Sequence, residues 1–322
     1  MKALCLARYP DGLPVASDFA LREMPAPVPG PGEILVQVTH LSMDPMPRMR
    51  MQAKPPFGPP IALDVPVEGR GVGRVLASGA PGFAPGDHVV GELGWRTRAA
   101  LPAAALTRIE GSFPHHHLNA LGATGLAAWF VVESLLLRAG QTLLVAPAAG
   151  AVGSLVCQIA RAQVPDLRIV GTAMGDVQAA FLRSLQVEPL TADAGWPGPG
   201  GIDRMVDGVG GVFHDRMLPH LSNRARVLLL GFVSGYAGDA LPSYGNAGAV
   251  LMKRATLEGF LLADHMDRAT EARAGIAAML ADARLRPAET LHHGLASAAT
   301  AFAGLFAEAP PGKQIVILED AE

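Results

Sequence analysis

Cysteine is scarce in this chain of 322 residues, which contains only Cys5 and Cys157. Two cysteines exclude a disulfide framework, and they do not suffice for a zinc lobe of four cysteines. Cys157 falls on the apolar side of a predicted helix, so it is expected in the core. The chemistry of the protein therefore has to rest on other side chains.

The chain also lacks a basic block and a long apolar run. Its formal net charge is −3, and without a cluster of basic residues a nucleic-acid partner is not expected. No apolar run is long enough to span a bilayer, and residues 1–8 contain no signal peptide. These absences predict a cytoplasmic protein with no membrane partner. Half of its residues are hydrophobic, which is enough for a large core.

Two patterns of hydrophobic residues divide the chain. Across about residues 1–110, short apolar segments alternate with glycine and proline turns, which predicts a small β-barrel. From residue 142 onward, strands alternate with helices, which predicts a parallel doubly wound sheet. The predicted strands lie at 142–146, 168–171, 204–207 and 227–231, and the predicted helices at 151–163, 177–186, 211–220 and 266–285. A last strand at 312–318 is expected to return to the first domain.

The segment 142–154 is the centre of this organisation, because it combines a buried strand, a turn of small residues and a helix. Gly150 is expected to let the backbone turn sharply, and Gly153 to let the helix pack close to the strand. A helix that begins near Ala151 directs its free N–H groups beyond the end of the strand, a geometry that suits a pyrophosphate. The alternative is a strand–helix corner that binds no ligand.

A series of short motifs extends along nearly the whole chain. They are Pro25-x-Pro, Gly30-x-Gly32-Glu33, Leu41-Ser-Met-Asp-Pro45 with Arg48, Glu68-Gly-x-Gly-x-Gly73, Phe83-x-x-Gly-Asp-x-Val89, Gly91-Glu-Leu-Gly-Trp95, Gly150-Ala-Val-Gly-Ser154, Val209-Gly-Gly211, Lys253-Arg254-Ala255 with Glu258-Gly-Phe260, and Gly312-Lys313. Together they resemble the zinc-independent medium-chain dehydrogenase/reductases. Within that group the chain is most similar to the enone reductases, which act on alkenals, leukotrienes and prostaglandins.

The resemblance implies an α/β architecture of two domains. A GroES-like β-barrel domain is expected at 1–118 with 288–322, and a Rossmann domain with a doubly wound parallel sheet at 119–287. The cofactor NADPH is expected in the cleft between them. The implied reaction is hydride transfer to the β-carbon of a small, hydrophobic α,β-unsaturated ketone or aldehyde. Members of the family are often homodimers, so a homodimer is expected here.

The resemblance also assigns roles to individual residues. Tyr236 matches a family tyrosine that donates a hydrogen bond to the enolate oxygen, and a phenol with a pKa of about 10 remains protonated at neutral pH. The expected cofactor-binding residues are Gly150, Ala151, Val152, Gly153, Gln178 and Gly208. The expected residues of the substrate cleft are Asp44, Met46, Arg48, Trp95 and Tyr244.

No metal is expected in this protein, and in particular no zinc of the kind that the zinc-dependent relatives bind. Those relatives need Cys or His where this chain has Ser42, Glu68 and Gly69. The run His115-His116-His117 is predicted to be a surface loop, because three consecutive histidines on one strand or helix do not converge on one metal. His40 precedes the Asp44 loop and is a candidate acid or base.

Several departures from the family fall where the cofactor is expected. Gln178 stands where the family has the Lys that grips the 2′-phosphate of NADPH, and the remaining changes are Asp193 for Tyr, Ala149 for Ser, Ala127 for Thr, and Gly208 and Pro310 for Asn. Each lost contact is worth about 0.5–3 kcal/mol, which together would weaken NADPH binding. NADH is not clearly favoured instead, since no carboxylate ends the strand at 168–171 to hold the ribose hydroxyls.

Three functions therefore remain open at the level of the sequence. The first is a nicotinamide-dependent reductase of a conjugated enone, which uses NADPH or NADH. The second is an enzyme on the same scaffold that uses no cofactor and catalyses cyclisation, cycloaddition or isomerisation of a polyene or enone by positioning it. The third is a binding protein that uses the cleft as a receptor.

Overall fold

The computed structural model describes residues 1–110, 114–191, 194–198, 200–236, 245–307 and 309–318. The strands are β1 (Lys2–Leu6), β2 (Phe19–Glu23), β3 (Glu33–Ser42), β4 (Gly71–Ser78), β5 (His88–Gly91), β6 (Arg98–Pro102), β7 (Leu106–Ile109), β8 (Thr142–Ala146), β9 (Arg168–Ala173), β10 (Glu188–Thr191), β11 (Ile202–Asp207), β12 (Leu221–Leu229), β13 (Thr256–Gly259), β14 (Glu289–His293) and β15 (Lys313–Ile317). The helices are α1 (Ala123–Leu135), α2 (Ala151–Gln163), α3 (Asp176–Ser184), α4 (Gly211–Met217), α5 (Ala247–Lys253), α6 (Ala269–Ala281) and α7 (Ser297–Gly304).

One sheet is parallel throughout, with the strand order β10-β9-β8-β11-β12-β13. Its central strand β8 is fully buried, and helices α1 and α2 pack together in the core that covers the sheet. The doubly wound, Rossmann-like sheet is therefore confirmed. The direction of winding reverses between β8 and β11, and in such sheets ligands bind beyond the carboxyl ends of the strands at this point.

The second large sheet is mostly antiparallel and has the order β14-β15-β3-β4-β5-β7, with β6 paired to β3. The predicted return of the tail is confirmed, because β15 pairs with β3. The predicted GroES-like domain is confirmed, except that its sheet, as far as the structure describes it, does not close into a barrel. Within the part of the chain that the structure describes, the end strands β14 and β7 do not pair, so the GroES-like sheet remains open.

The predicted helices differ from the observed ones mainly at their ends. The helix predicted at 211–220 ends as an α-helix at Met217, and its last turn is a 3₁₀ turn that contains Pro219. Proline has no N–H to continue an α-helix, which accounts for the early end. The helix predicted at 266–285 likewise begins only at Ala269, after a 3₁₀ segment at Leu262–Arg268. No helix in the described ranges combines the length and the apolar character that a membrane crossing requires.

Candidate active site

The turn after β8 places a helix N-terminus beyond the end of the central strand. Gly150 caps α2 with φ −74° and ψ 177°, an extended conformation that any residue adopts. The prediction that Gly150 is needed for a sharp turn is therefore wrong. A Cβ at Gly150 would meet only Pro147, at 3.7 Å, so the protein itself leaves space beside this backbone.

Gly153, in contrast, is required by packing. A Cβ at this position would lie 2.0 Å from the carbonyl oxygen of Pro147, so only glycine lets α2 approach the strand end. The packing prediction for Gly153 is confirmed. The first amides of an α-helix, here those of Ala151, Val152 and Gly153, have no acceptor within the helix and carry partial positive charge. This donor set, with open space at Gly150, fits a pyrophosphate.

A second glycine turn follows β11, next to β8 in the sheet. The amide of Gly208 donates to the carbonyl of Ala146 at 2.6 Å, and the carbonyl of Gly208 accepts from the amide of Val233 at 3.0 Å. The Gly208 turn thus joins the end of β8 to the segment that carries Tyr236.

A buried aspartate–histidine pair supports the Gly208 turn. Asp207 and His214 are both fully buried, and their Oδ2 and Nδ1 atoms lie 2.6 Å apart. The other carboxylate oxygen of Asp207 accepts from the amides of Val209 and Gly210, each at 2.9 Å. Sequence reasoning missed this pair. Its only signal was a polar residue at a strand end and a histidine seven positions later.

Tyr236 lies where the lobe of the parallel sheet contacts the Met46 loop of the antiparallel lobe. Its ring is 6% exposed, its hydroxyl is 3.4 Å from the sulfur of Met46, and Phe232 packs edge-on against it. A Cβ at Gly231 would come within 3.7 Å of the same hydroxyl. Burial raises the pKa of Tyr236, so the phenol keeps its proton and remains a donor. The structure thus brings Tyr236 and Met46, from opposite lobes, into contact.

Asp44 begins the loop that carries Met46 and is held by the C-terminal strand. Its carboxylate accepts from the Ser42 hydroxyl at 2.5 Å and forms an ion pair with the ammonium of Lys313, which is 2% exposed. Burial alone would raise the pKa of Asp44, but Lys313 and Ser42 lower it below the usual range. Asp44 therefore acts here as an ionised anchor for the loop.

Two residues predicted for the substrate cleft have their contacts inside the antiparallel lobe. Arg48 is 3% exposed and donates from its guanidinium to the carbonyl of Gly12. Trp95 is 1% exposed and packs against Phe19 and Phe302, with ring centroids 5.5 and 5.3 Å away. Both residues therefore pack within the antiparallel lobe. The predicted cleft residue Tyr244 and the substituted position Asp193 lie outside the described residues.

Gln178 lies on α3, after the strand β9 that neighbours β8. Its amide oxygen accepts from the backbone of Met174 at 2.9 Å, and its amide nitrogen donates to the carbonyl of Ala309 at 2.8 Å. The side chain is buried, neutral and occupied by these two contacts. Gln178 therefore supplies no charge for a 2′-phosphate, in contrast to the turn after β8, whose free amides fit a pyrophosphate.

The C-terminal segment 309–313 lies against the turn after β8 and the turn after β9. Besides the contact with Gln178, the amide of Gly312 donates to the carbonyl of Ala149 at 2.8 Å, and Gly312 forms a β-bridge with Gly150. Lys313 follows directly and reaches Asp44. This segment connects the turns after β8 and β9 in one lobe to the Met46 loop of the other.

Comparison with known proteins identifies the family. Residues 2–109 match the family model of the N-terminal domain of oxidoreductase. A putative NADP-dependent oxidoreductase of Bacillus subtilis, YfmJ, is 34% identical and aligns over 98% of this chain and 97% of its own length. The chain belongs to the zinc-independent medium-chain dehydrogenase/reductases. The resemblance inferred from the motifs is thereby confirmed.

Other zinc-independent medium-chain dehydrogenase/reductases match over equal lengths. The NADPH-dependent curcumin reductase of Escherichia coli is 30% identical over 97% of this chain and 95% of its own. Among solved structures, CurA from Vibrio vulnificus in complex with NADPH superposes with a TM-score of 0.90 at 30% identity, covering 99% of this chain and all of CurA. The shared fold therefore includes both lobes and the cleft between them.

Proposed function

We propose that the protein reduces the conjugated C=C bond of an α,β-unsaturated ketone or aldehyde, with NADPH as the hydride donor. The observation that carries this proposal is the buried hydroxyl of Tyr236, beside the Gly208 turn and in contact with Met46 of the other lobe. A protonated donor at the meeting point of the two lobes is what an enolate oxygen requires as negative charge develops on it.

Two enzymes and one structure support NADPH as the cofactor. The Escherichia coli curcumin reductase and a Nicotiana tabacum 2-alkenal reductase are NADP-dependent, and CurA was solved with NADPH. In this chain the amides of Ala151, Val152 and Gly153 would hold the pyrophosphate, next to the open backbone of Gly150. When bound, the nicotinamide supplies the hydride.

The chain's own groups orient the substrate and stabilise charge. The Tyr236 hydroxyl donates to the carbonyl oxygen of the substrate, and the bond strengthens as that oxygen gains negative charge. The phenol holds its proton through this step, because burial raises its pKa. Met46, which is 61% exposed, offers a flexible apolar surface to the carbon skeleton. A hydrophobic enone is therefore the expected substrate class.

The relatives support the reductase over the cofactor-free cyclase or isomerase that the sequence left open. The changes at Ala149 and Gln178 lie where the C-terminal segment contacts the turns after β8 and β9. They do not remove the helix N-terminus at Ala151 or the donor at Tyr236, which are the parts that a reductase needs.

The direct test is turnover of NADPH with a panel of hydrophobic enones and matched saturated ketones. The expected result is NADPH oxidation with the enones alone, with a product that carries two more hydrogen atoms across the former C=C bond. The saturated ketones control for carbonyl reduction. If no member of the panel is reduced and NADPH does not bind to the protein, the proposal is wrong.

We also propose that one domain comprises residues 1–118 with 288–322 and the other residues 119–287, and that the protein is cytoplasmic.

We further propose that the protein is a homodimer through the edge of its parallel sheet. Strand β13 ends the sheet, and near it Leu251, Met252 and Leu261 are 75, 71 and 67% exposed. Exposed apolar groups beside an unpaired strand edge favour association. Light scattering of the wild type and of Leu251→Lys should give a dimer and a monomer, respectively; a monomeric wild type would contradict the dimer.

A further inference from the structure

Two histidines of the run at 115–117 converge with a glutamate from the far end of the chain. The imidazoles of His115 and His116 and the carboxylate of Glu289 each offer a ligand atom, and these three atoms all lie within 4.8 Å of one another. The Nε2 atom of His115 is 3.4 Å from Oε2 of Glu289. The run itself is a half-buried 3₁₀ turn, so the prediction of a surface loop is wrong.

We propose that His115, His116 and Glu289 bind a divalent transition-metal ion, with Zn²⁺ the best match. Two imidazoles and a carboxylate, completed by water, are a common ligand set for tetrahedral Zn²⁺. With bonds of about 2.0–2.1 Å, tetrahedral ligand atoms lie about 3.3 Å apart. His115 and Glu289 already have that separation, at 3.4 Å, and the ligand atom of His116 lies within 4.8 Å of both.

The surroundings of the three ligands resemble the outer shell of a metal site. Asn119, which is 1% exposed, donates to Oε1 of Glu289 at 3.1 Å, and such bonds fix the orientation of a ligating carboxylate. His40 stacks on His115 with ring centroids 5.5 Å apart.

The position of this site indicates a structural role. The chain leaves the antiparallel sheet after β7 and passes His115 and His116 before α1. It returns to the same sheet at β14, whose first residue is Glu289. A metal ion here would cross-link the outgoing and the returning connection between the lobes. The site is distinct from Ser42, Glu68 and Gly69, where the zinc-dependent relatives hold their metal.

The test is Zn²⁺ binding to the full chain after treatment with a chelator. Calorimetry should give one Zn²⁺ per chain, and saturation should raise the unfolding temperature by several degrees. Co²⁺ should give the visible absorption of a tetrahedral complex. Glu289→Gln and His116→Asn should each bind Zn²⁺ at least about tenfold more weakly, because each removes one of three ligands. The matched control is His293→Gln, which removes an exposed histidine from the same strand as Glu289 and should bind as the wild type does.

The readouts do not involve reductase activity, so the proposal is independent of the proposed function. It is overturned if the wild type fails to bind Zn²⁺ stoichiometrically, or if Glu289→Gln and His116→Asn bind it as tightly as the wild type. An equal loss in His293→Gln would show only general binding to surface histidines and would also overturn it. Unfolding of each variant without metal shows whether it is folded.

Discussion

The turn after β8 and the turn after β9 lie side by side in one sheet but are built differently. The β8 turn relies on backbone, because Gly153 has no space for a Cβ and the first amides of α2 are unused within the helix. The β9 turn relies on one side chain, Gln178, which holds Met174 and Ala309. A backbone site is preserved by packing that admits one residue type, whereas a side-chain site changes with a single substitution. Under the proposed function, the β8 turn keeps the backbone groups that would hold the pyrophosphate, whereas the β9 turn has Gln178 in place of the Lys that the family uses for the 2′-phosphate.

The largest effect is expected from Gly153→Ala, which breaks the backbone-built turn. Its Cβ would lie 2.0 Å from the Pro147 carbonyl oxygen, so α2 has to move away from the strand. We expect a loss of about 3 kcal/mol or more in the free energy of unfolding, seen as a decrease of roughly 6–12 °C in the unfolding temperature. A variant as stable as the wild type would show that the close approach of α2 is not required.

The second-largest effect is expected from Asp44→Asn, which removes the ion pair that holds the end of the C-terminal segment 309–313. Lys313 would remain buried without a carboxylate, which we expect to cost about 2 kcal/mol in urea unfolding at neutral pH. Because the pKa of Asp44 is lowered in the folded protein, its contribution is complete above the ordinary value of about 4 and is lost as pH falls through the lower folded value. The gap between wild type and variant should therefore narrow in acid; a gap independent of pH would contradict the ion pair.

Gly150→Ala separates the fold of the β8 turn from its binding function. The added Cβ meets only Pro147, at 3.7 Å, and the backbone conformation is allowed, so stability should be unchanged or rise by up to about 1 kcal/mol. The methyl group would occupy space beside the pyrophosphate, and we expect the Kd for NADPH to rise about tenfold, or about 1.4 kcal/mol. Calorimetric titration that gives an unchanged Kd would place the pyrophosphate elsewhere.

The smallest effect is expected from Gln178→Lys at the side-chain-built turn. An ammonium there keeps the donor to Ala309 and adds a charge for a 2′-phosphate. A hydrogen bond from a charged group contributes about 1.5–3 kcal/mol. Part of this is offset because the ammonium is buried and because the amide of Met174 loses its acceptor. We therefore expect the affinity for NADPH relative to NADH to rise about threefold. Gln178→Met, which adds no charge, is the control. An equal change in both variants would indicate that Gln178 only supports the fold.

The sequence was sufficient for the architecture because the signals involved are local. Alternating strands and helices predicted the parallel sheet, and the spacing of Gly150 and Gly153 predicted the strand–turn–helix unit. Contacts between distant residues were not predictable in this way. Lys313 reaches Asp44 across a separation of 269 positions, and Gln178 reaches Ala309 across 131. Nothing in the local pattern of either residue identifies its partner.

The same limit applies to the candidate site. Tyr236 and Met46 were both predicted, but only the packing of the lobes shows that they touch. Arg48 and Trp95 carried family motifs, yet their hydrogen bonds and ring contacts lie within the antiparallel lobe. A motif reports that a residue matters to the fold or to the reaction, and it does not distinguish the two.

The proposed role of Tyr236 as the donor to the enolate oxygen is tested most directly by kcat for enone reduction, measured for Tyr236→Phe beside Tyr9→Phe. The first change removes the hydroxyl but keeps the ring packed on Phe232, and the second removes a hydroxyl from a half-buried tyrosine of the antiparallel lobe. We predict that Tyr236→Phe lowers kcat by about 10²–10³-fold with the Kd for NADPH unchanged, as for the loss of one oxyanion donor, and that Tyr9→Phe matches the wild type. A kcat for Tyr236→Phe equal to that of the wild type would show that the Tyr236 hydroxyl does not stabilise the enolate.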